Sequence, residues 1–159
     1  MAVGIEERRV LIVGLGLIGG SLAAALRSAG FGAAKEGTIH ACDPDPDEIR
    51  RGIEMGLIDR GDTRLAEVVE RASMIVLAVP VLAMRGVMAE LASHLGSAAP
   101  DAVITDVGST KAAIRDCALA AFGRVPPRLV LGHPIAGSEK SGVAAANPEL
   151  YVDHQVILT

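Results

Sequence analysis

The chain has 159 residues, enough for about one domain. Half of them are hydrophobic and only 2% aromatic, so a core must be built from Ala, Val, Leu and Ile. A net charge of −4 lacks the basic footprint of a nucleic-acid binder. Cys42 and Cys117 stand far apart without CxxC spacing, which argues against a disulfide framework or a cysteine metal site and for a reducing cytoplasm.

Residues 10–13 form a short apolar run rich in β-branched side chains, a strand signal, and residues 22–26 read as helix. The uncharged stretch 10–26 follows Arg8 and Arg9 and superficially resembles a signal peptide or membrane span. It is shorter than the ~20 residues a spanning helix needs. Acidic Glu6 and Glu7 precede the arginines, and Gly14, Gly16, Gly19 and Gly20 weaken a helix. No membrane association is expected.

Residues 38–42 are a second strand, and 45–55 a helix stopped by Gly56. A weaker helix is expected at 65–71, then a strand at 74–79 closed by Pro80. Residues 82–95 read as a helix stopped by Gly96, 102–106 as strand, 111–122 as helix and 129–131 as strand. Pro126 and Pro127 mark a loop, and a last apolar run occupies 155–158. Short strands alternating with longer helices imply βαβ units and a mostly parallel sheet. Strand runs that are apolar throughout imply cover on both faces. The high mean hydropathy of +0.41 fits such a sheet, or an apolar surface meant for a partner domain.

Gly14-Leu15-Gly16-Leu17-Ile18-Gly19 matches G-x-G-x-x-G after a strand and at the opening of a helix. Gly14 would permit the tight turn, Gly16 the approach of a pyrophosphate, and Gly19 close packing of helix on strand. Asp43, 24 residues beyond Gly19, is spaced to accept a hydrogen bond from a ribose 2′-hydroxyl and to repel a 2′-phosphate, which favours NAD over NADP. Asp43 equally suits the start of a turn. Val79 and Pro80 end a strand at the edge where open α/β sheets bind ligands, or are a plain strand stop. The expected fold is an α/β, Rossmann-type doubly wound domain.

Two later strand runs end in polar, glycine-rich turns: Asp106-Val107-Gly108-Ser109-Thr110-Lys111, and Gly132-His133-Pro134-Ile135-Ala136-Gly137-Ser138-Glu139-Lys140-Ser141-Gly142. Parallel strands end on one edge, so both turns should meet near a nicotinamide. Removing hydride from an alcohol carbon needs a base for the hydroxyl proton, and His133, directly after a strand, suits that role. His40, His94 and His154 read as structural or solvent-facing.

Together with the Gly-Gly-Ser that closes the first motif, these turns resemble the prephenate dehydrogenase family, which includes arogenate and cyclohexadienyl dehydrogenases. The resemblance covers essentially the whole chain but only that family's N-terminal domain. It implies oxidative decarboxylation of prephenate to 4-hydroxyphenylpyruvate, or of arogenate to tyrosine, with NAD as cofactor. By that resemblance His133 accepts the ring hydroxyl's proton, and Ser109 orients histidine, substrate and nicotinamide. Ser138 and Glu139 line or gate the substrate entrance, and Lys140 has no assigned role. A helical C-terminal domain of the family forms the homodimer and supplies a carboxylate-binding arginine. Residues 1–159 are therefore expected to be an NAD-binding domain cut off before it. Two rivals stand beside this: another reductase of the β-hydroxyacid or pyrroline-carboxylate type, and a non-catalytic NAD-sensing domain.

Overall fold

The computed structural model describes residues 8–32 and 37–159. Glu6 and Glu7, which entered the argument against a targeting segment, lie outside them. The described elements run β1 (Arg8–Val13), α1 (Leu17–Ser28), β2 (Gly37–Cys42), α2 (Pro46–Glu54), β3 (Arg60–Asp62), β4 (Met74–Leu77), α3 (Val81–Ala98), β5 (Val103–Asp106), α4 (Lys111–Phe122), β6 (Leu129–Val130), β7 (Gly132–Pro134) and β8 (Val156–Leu158). The first six strands form one sheet in the order β3-β2-β1-β4-β5-β6, every described pairing parallel. Chain order reverses between β1 and β4, which opens a crevice at the carboxyl ends of those strands.

Alternation along the central strands divides the core between two faces. Leu11, Val13, Ile75, Leu77 and Ile104 pack with Met84, Met88 and Leu91 of α3 and Ile114 of α4. Val10, Ile12, Ile39, Ala41 and Val76 pack on the opposite face with Ala23 of α1 and Ile49 of α2. The stretch once comparable to a membrane span is thus a strand, a turn and a helix. Among the described residues no helix is long and apolar enough to cross a membrane.

Several expectations need correction. The edge strand β3 has no apolar run to announce it, since it is Arg-Gly-Asp. The helix expected at 65–71 shrinks to a 3₁₀ turn, Leu65–Glu67, because Leu65, Val68 and Val69 are all drawn into the core of the crossover. Gly96 does not stop α3; the helix runs on to Ala98 and ends before Pro100, whose ring disfavours helical geometry in the residue ahead of it. Cover on both faces holds for most of β1, β2 and β4, but β5 alternates, with Val103 and Thr105 only half-buried. The last apolar run does not join the main sheet. It is β8, which pairs antiparallel with β7 and sets His133 opposite Ile157.

Candidate active site

The glycine loop joins β1 to α1 at the crevice. Gly14 has φ +96°, and a side chain there would collide with the Ala78 carbonyl at the end of β4. A Cβ on Gly19 would strike the Gly14 carbonyl and lie 3.0 Å from Ile12 Cγ2, so its absence lets α1 seat on β1. Gly16 is different: a Cβ there meets nothing within 4 Å. Its bare backbone faces open space, as an approaching phosphate requires.

Gly16 is also the N-cap of α1, with no side-chain cap and no acidic residue in the first turn. The first N–H groups of this helix therefore keep their hydrogen-bonding capacity and the positive end of the helix dipole. Leu17 is buried, so only its backbone is available there, and the Ile18 carbonyl accepts the Tyr151 hydroxyl at 2.6 Å. Helix α2 starts in the opposite way. Its N-cap Asp45 accepts from the Asp47 amide at 2.9 Å, and Asp47 and Glu48 sit in its first turn.

Asp43 serves the turn directly. One carboxylate oxygen accepts from the Leu15 amide at 2.7 Å, tying the end of β2 to the glycine loop, and the other accepts from the Asp45 amide at 2.9 Å. A carboxylate has about four acceptor sites, so two amides leave capacity for a ribose hydroxyl. A cavity of ≈ 360 Å³ opens beside it, walled by Gly14, Gly16, Asp43, Thr63, Val79 and Pro80, within the range of small-ligand sites. Cys42 also lines this cavity, but burial pushes its thiol up to about 12, which leaves it protonated and unreactive.

On the other side of β4, the β5 turn and β7 are drawn together by Asp106, whose side chain is fully buried. Its carboxylate accepts from the Gly108 amide at 2.8 Å and the Gly132 amide at 3.1 Å, and it pairs with Lys111 Nζ. Ser109 follows Gly108 and is exposed, whereas His133 follows Gly132 and is half-buried. His133 is not in a loop directly after the main-sheet strand, as the sequence suggested. It is the central residue of β7, three positions past β6. Ser138 and Glu139 lie on the exposed stretch that follows, and Ser138 Oγ accepts the Lys140 amide at 3.2 Å.

That stretch is bound back across the glycine helix. The Val143 amide donates to Glu48, the Asn147 amide donates to Ser21 Oγ at 2.9 Å, and Tyr151 reaches Ile18 as above. Burial raises the Tyr151 hydroxyl to about 12, so it remains a donor. The roles of Asp106, Lys111, Glu48 and Tyr151 went unread in the sequence. Asp106 and Lys111 carried a signal, a polar residue ending an apolar strand and a lysine five positions on. Glu48 carried none, because its partner is 95 residues away.

A family model described as prephenate dehydrogenase, nucleotide-binding domain, matches residues 22–159. The chain belongs to that family. It is 40% identical to a prephenate dehydrogenase of Bacillus subtilis (strain 168), over 94% of this chain and 38% of the relative. The crystal structure of prephenate dehydrogenase from A. aeolicus, in complex with hydroxyphenyl propionate and NAD+, superposes with a TM-score of 0.84 at 37% identity, covering 98% of this chain and 51% of that one. Synechocystis arogenate dehydrogenase gives 0.81 at 29% identity, covering 95% and 49%. The chain thus spans about half or less of the length of these relatives. The family match begins after β1 and the glycine loop and takes in the β5 turn and β7.

Proposed function

We propose that this chain is the NAD-binding portion of a dehydrogenase that oxidises and decarboxylates prephenate or arogenate in tyrosine biosynthesis. The observation that carries the reading is the meeting of three things at one sheet edge. They are an uncapped helix start at Gly16, a cavity bounded by Asp43, and the Ser109 and His133 turns tied by one carboxylate. A sensor has use for the first two and none for the third.

In this reading the amides at the start of α1 hold the pyrophosphate, aided by Gly14, Gly16, Leu17, Ile18 and Gly19. Asp43 accepts from the adenosine ribose, and its charge disfavours a 2′-phosphate. Val79 and Pro80 wall the same side. NAD, when bound, supplies the acceptor for the hydride that leaves the hydroxyl-bearing ring carbon. His133, neutral, accepts the hydroxyl proton, and Ser109 orients the imidazole and the substrate. The ring carboxylate leaves as carbon dioxide, its bonding electrons pass into the ring, and aromatisation draws the reaction forward. Ser138 and Glu139 stand at the substrate entrance. The whole protein is read as a cytoplasmic homodimer, with Cys42 and Cys117 as free thiols.

The test is to assay the full-length protein, following NADH with prephenate and with arogenate as substrates. Turnover of either one is expected. NAD binding without turnover of either would overturn the reading in favour of a sensor.

A further inference from the structure

Asp106, fully buried, and Lys111, partly buried, are a charged pair to which the chemistry above gives no part. Asp106 is 1% exposed, and its carboxylate gathers donors from three places in the sequence: Gly108, Lys111 and Gly132. Lys111 Nζ makes a second bond, donating to the Gly132 carbonyl. Gly132 is thus gripped at both ends, its amide by Asp106 and its carbonyl by Lys111. That carbonyl belongs to the peptide unit leading into His133, so gripping it fixes the plane from which the histidine side chain departs. The same carboxylate holds the amide of Gly108, the residue before Ser109. Both glycines sit in close quarters: a Cβ on Gly132 would come 2.9 Å from the Asp106 carbonyl, and one on Gly108 2.6 Å from Ile114 Cδ1 and 3.1 Å from Asp106 Oδ2.

An ion pair with one charge fully buried is poorly explained as a stabiliser. Apolar groups of similar size often serve stability as well or better, because they avoid the desolvation of two charges. Such a pair accounts for itself when it holds two elements in one relative placement. We infer that Asp106 and Lys111 are positioning residues that set His133 against Ser109, acting through the Gly108 and Gly132 backbone and touching neither substrate nor cofactor. The inference rests on the dehydrogenase reading above.

The experiment uses the full-length protein and a mutant cycle. One arm is Lys111→Met, a second is Asp106→Leu with Lys111→Met, which removes both charges together, and a third is Lys111→Arg, which keeps the cation. Each is made in the wild-type and the His133→Asn backgrounds, with NAD affinity as the check that the nucleotide half is folded. Misplacement of a catalytic group costs about 10²-fold, so in the wild-type background kcat should fall by about that factor with NAD affinity unchanged. Lys111→Arg should retain more of kcat than Lys111→Met. In the His133→Asn background the same changes should cost almost nothing, because the group they position is gone. Equal losses in both backgrounds in any folded variant would overturn the inference and leave a structural pair. Loss of NAD affinity in every variant, the conservative Lys111→Arg included, would overturn it equally, since the pair would then be holding up the fold. Normal turnover in His133→Asn alone would instead count against the assignment of His133 as the base.

Discussion

In the proposed function the glycine loop offers a ligand backbone amides, presented by a helix whose start has no side-chain cap at Gly16. In the turn after β5 and in the middle of β7 they are side chains, Ser109 and His133, on two short segments joined through buried Asp106. The first half needs only a chain able to turn tightly and pack closely, so it is written locally as glycines. The second half depends on contacts between residues 21 to 26 positions apart. Backbone binding is thus rigid by construction, whereas side-chain chemistry has to be held in place from elsewhere in the fold.

If the halves divide in this way, damage to one should spare the other. His133→Asn in the full-length enzyme should lower kcat by about 10²–10⁴, the usual contribution of a general base, while calorimetry finds NAD affinity unchanged. Asp43→Asn should act on the nucleotide instead. It removes a charge and one acceptor, worth roughly 1.5–3 kcal/mol, so NAD should weaken and its advantage over NADP narrow in paired titrations.

Two glycines in one loop separate packing from binding. Gly19→Ala drives a methyl group into the Gly14 carbonyl, and such overpacking costs about 1–3 kcal/mol, visible as a lower melting temperature without ligand. Gly16→Ala meets open space in the free protein, so melting should barely change while NAD binding weakens by about tenfold, or ~1.4 kcal/mol. If Gly16→Ala melts early and binds normally, the roles assigned to the two glycines are reversed.

The smallest effect lies away from both halves. His40 is buried, its Nδ1 has no hydrogen-bond partner among the described residues, and its pKa is lowered from 6.5 by burial first, then by Arg9 and Arg60. Below about 6.5 the unfolded chain binds a proton at this site that the folded one resists. Stability contributed by the neutral form is therefore full above that pH and lost as pH falls through and below it. Urea midpoints measured across this range should slope downward toward acid, and His40→Gln should flatten the slope.

The fold was legible wherever local pattern coincided with burial. The apolar runs that became β1, β2, β4 and β5 were marked, as were Asp45 and Gly56 bounding α2, because Asp45 does cap and Gly56 does take φ +71°. Strand β3 was invisible, since an edge strand pairs by backbone and needs no apolar side chains. The 3₁₀ turn at Leu65–Glu67 misled because core residues there simulate helical spacing. Among the site residues, the glycines and Asp43 could be argued from spacing, and Val79 and Pro80 from their place at a strand end; Gly14, Gly16, Asp43, Val79 and Pro80 line one cavity. His133 could be named from its place after a strand and Ser109 from the resemblance, but what joins them could not, because hydrogen bonds across the chain leave no period in the sequence.

The claim that this chain carries a complete nucleotide half, selective through Asp43, is tested most directly by calorimetric titration of NAD and of NADP into the wild-type protein. Saturable NAD binding is predicted, with NADP at least about tenfold weaker, a gap of ~1.4 kcal/mol. NADP binding as tight as NAD, or no saturable heat from NAD, would contradict the account.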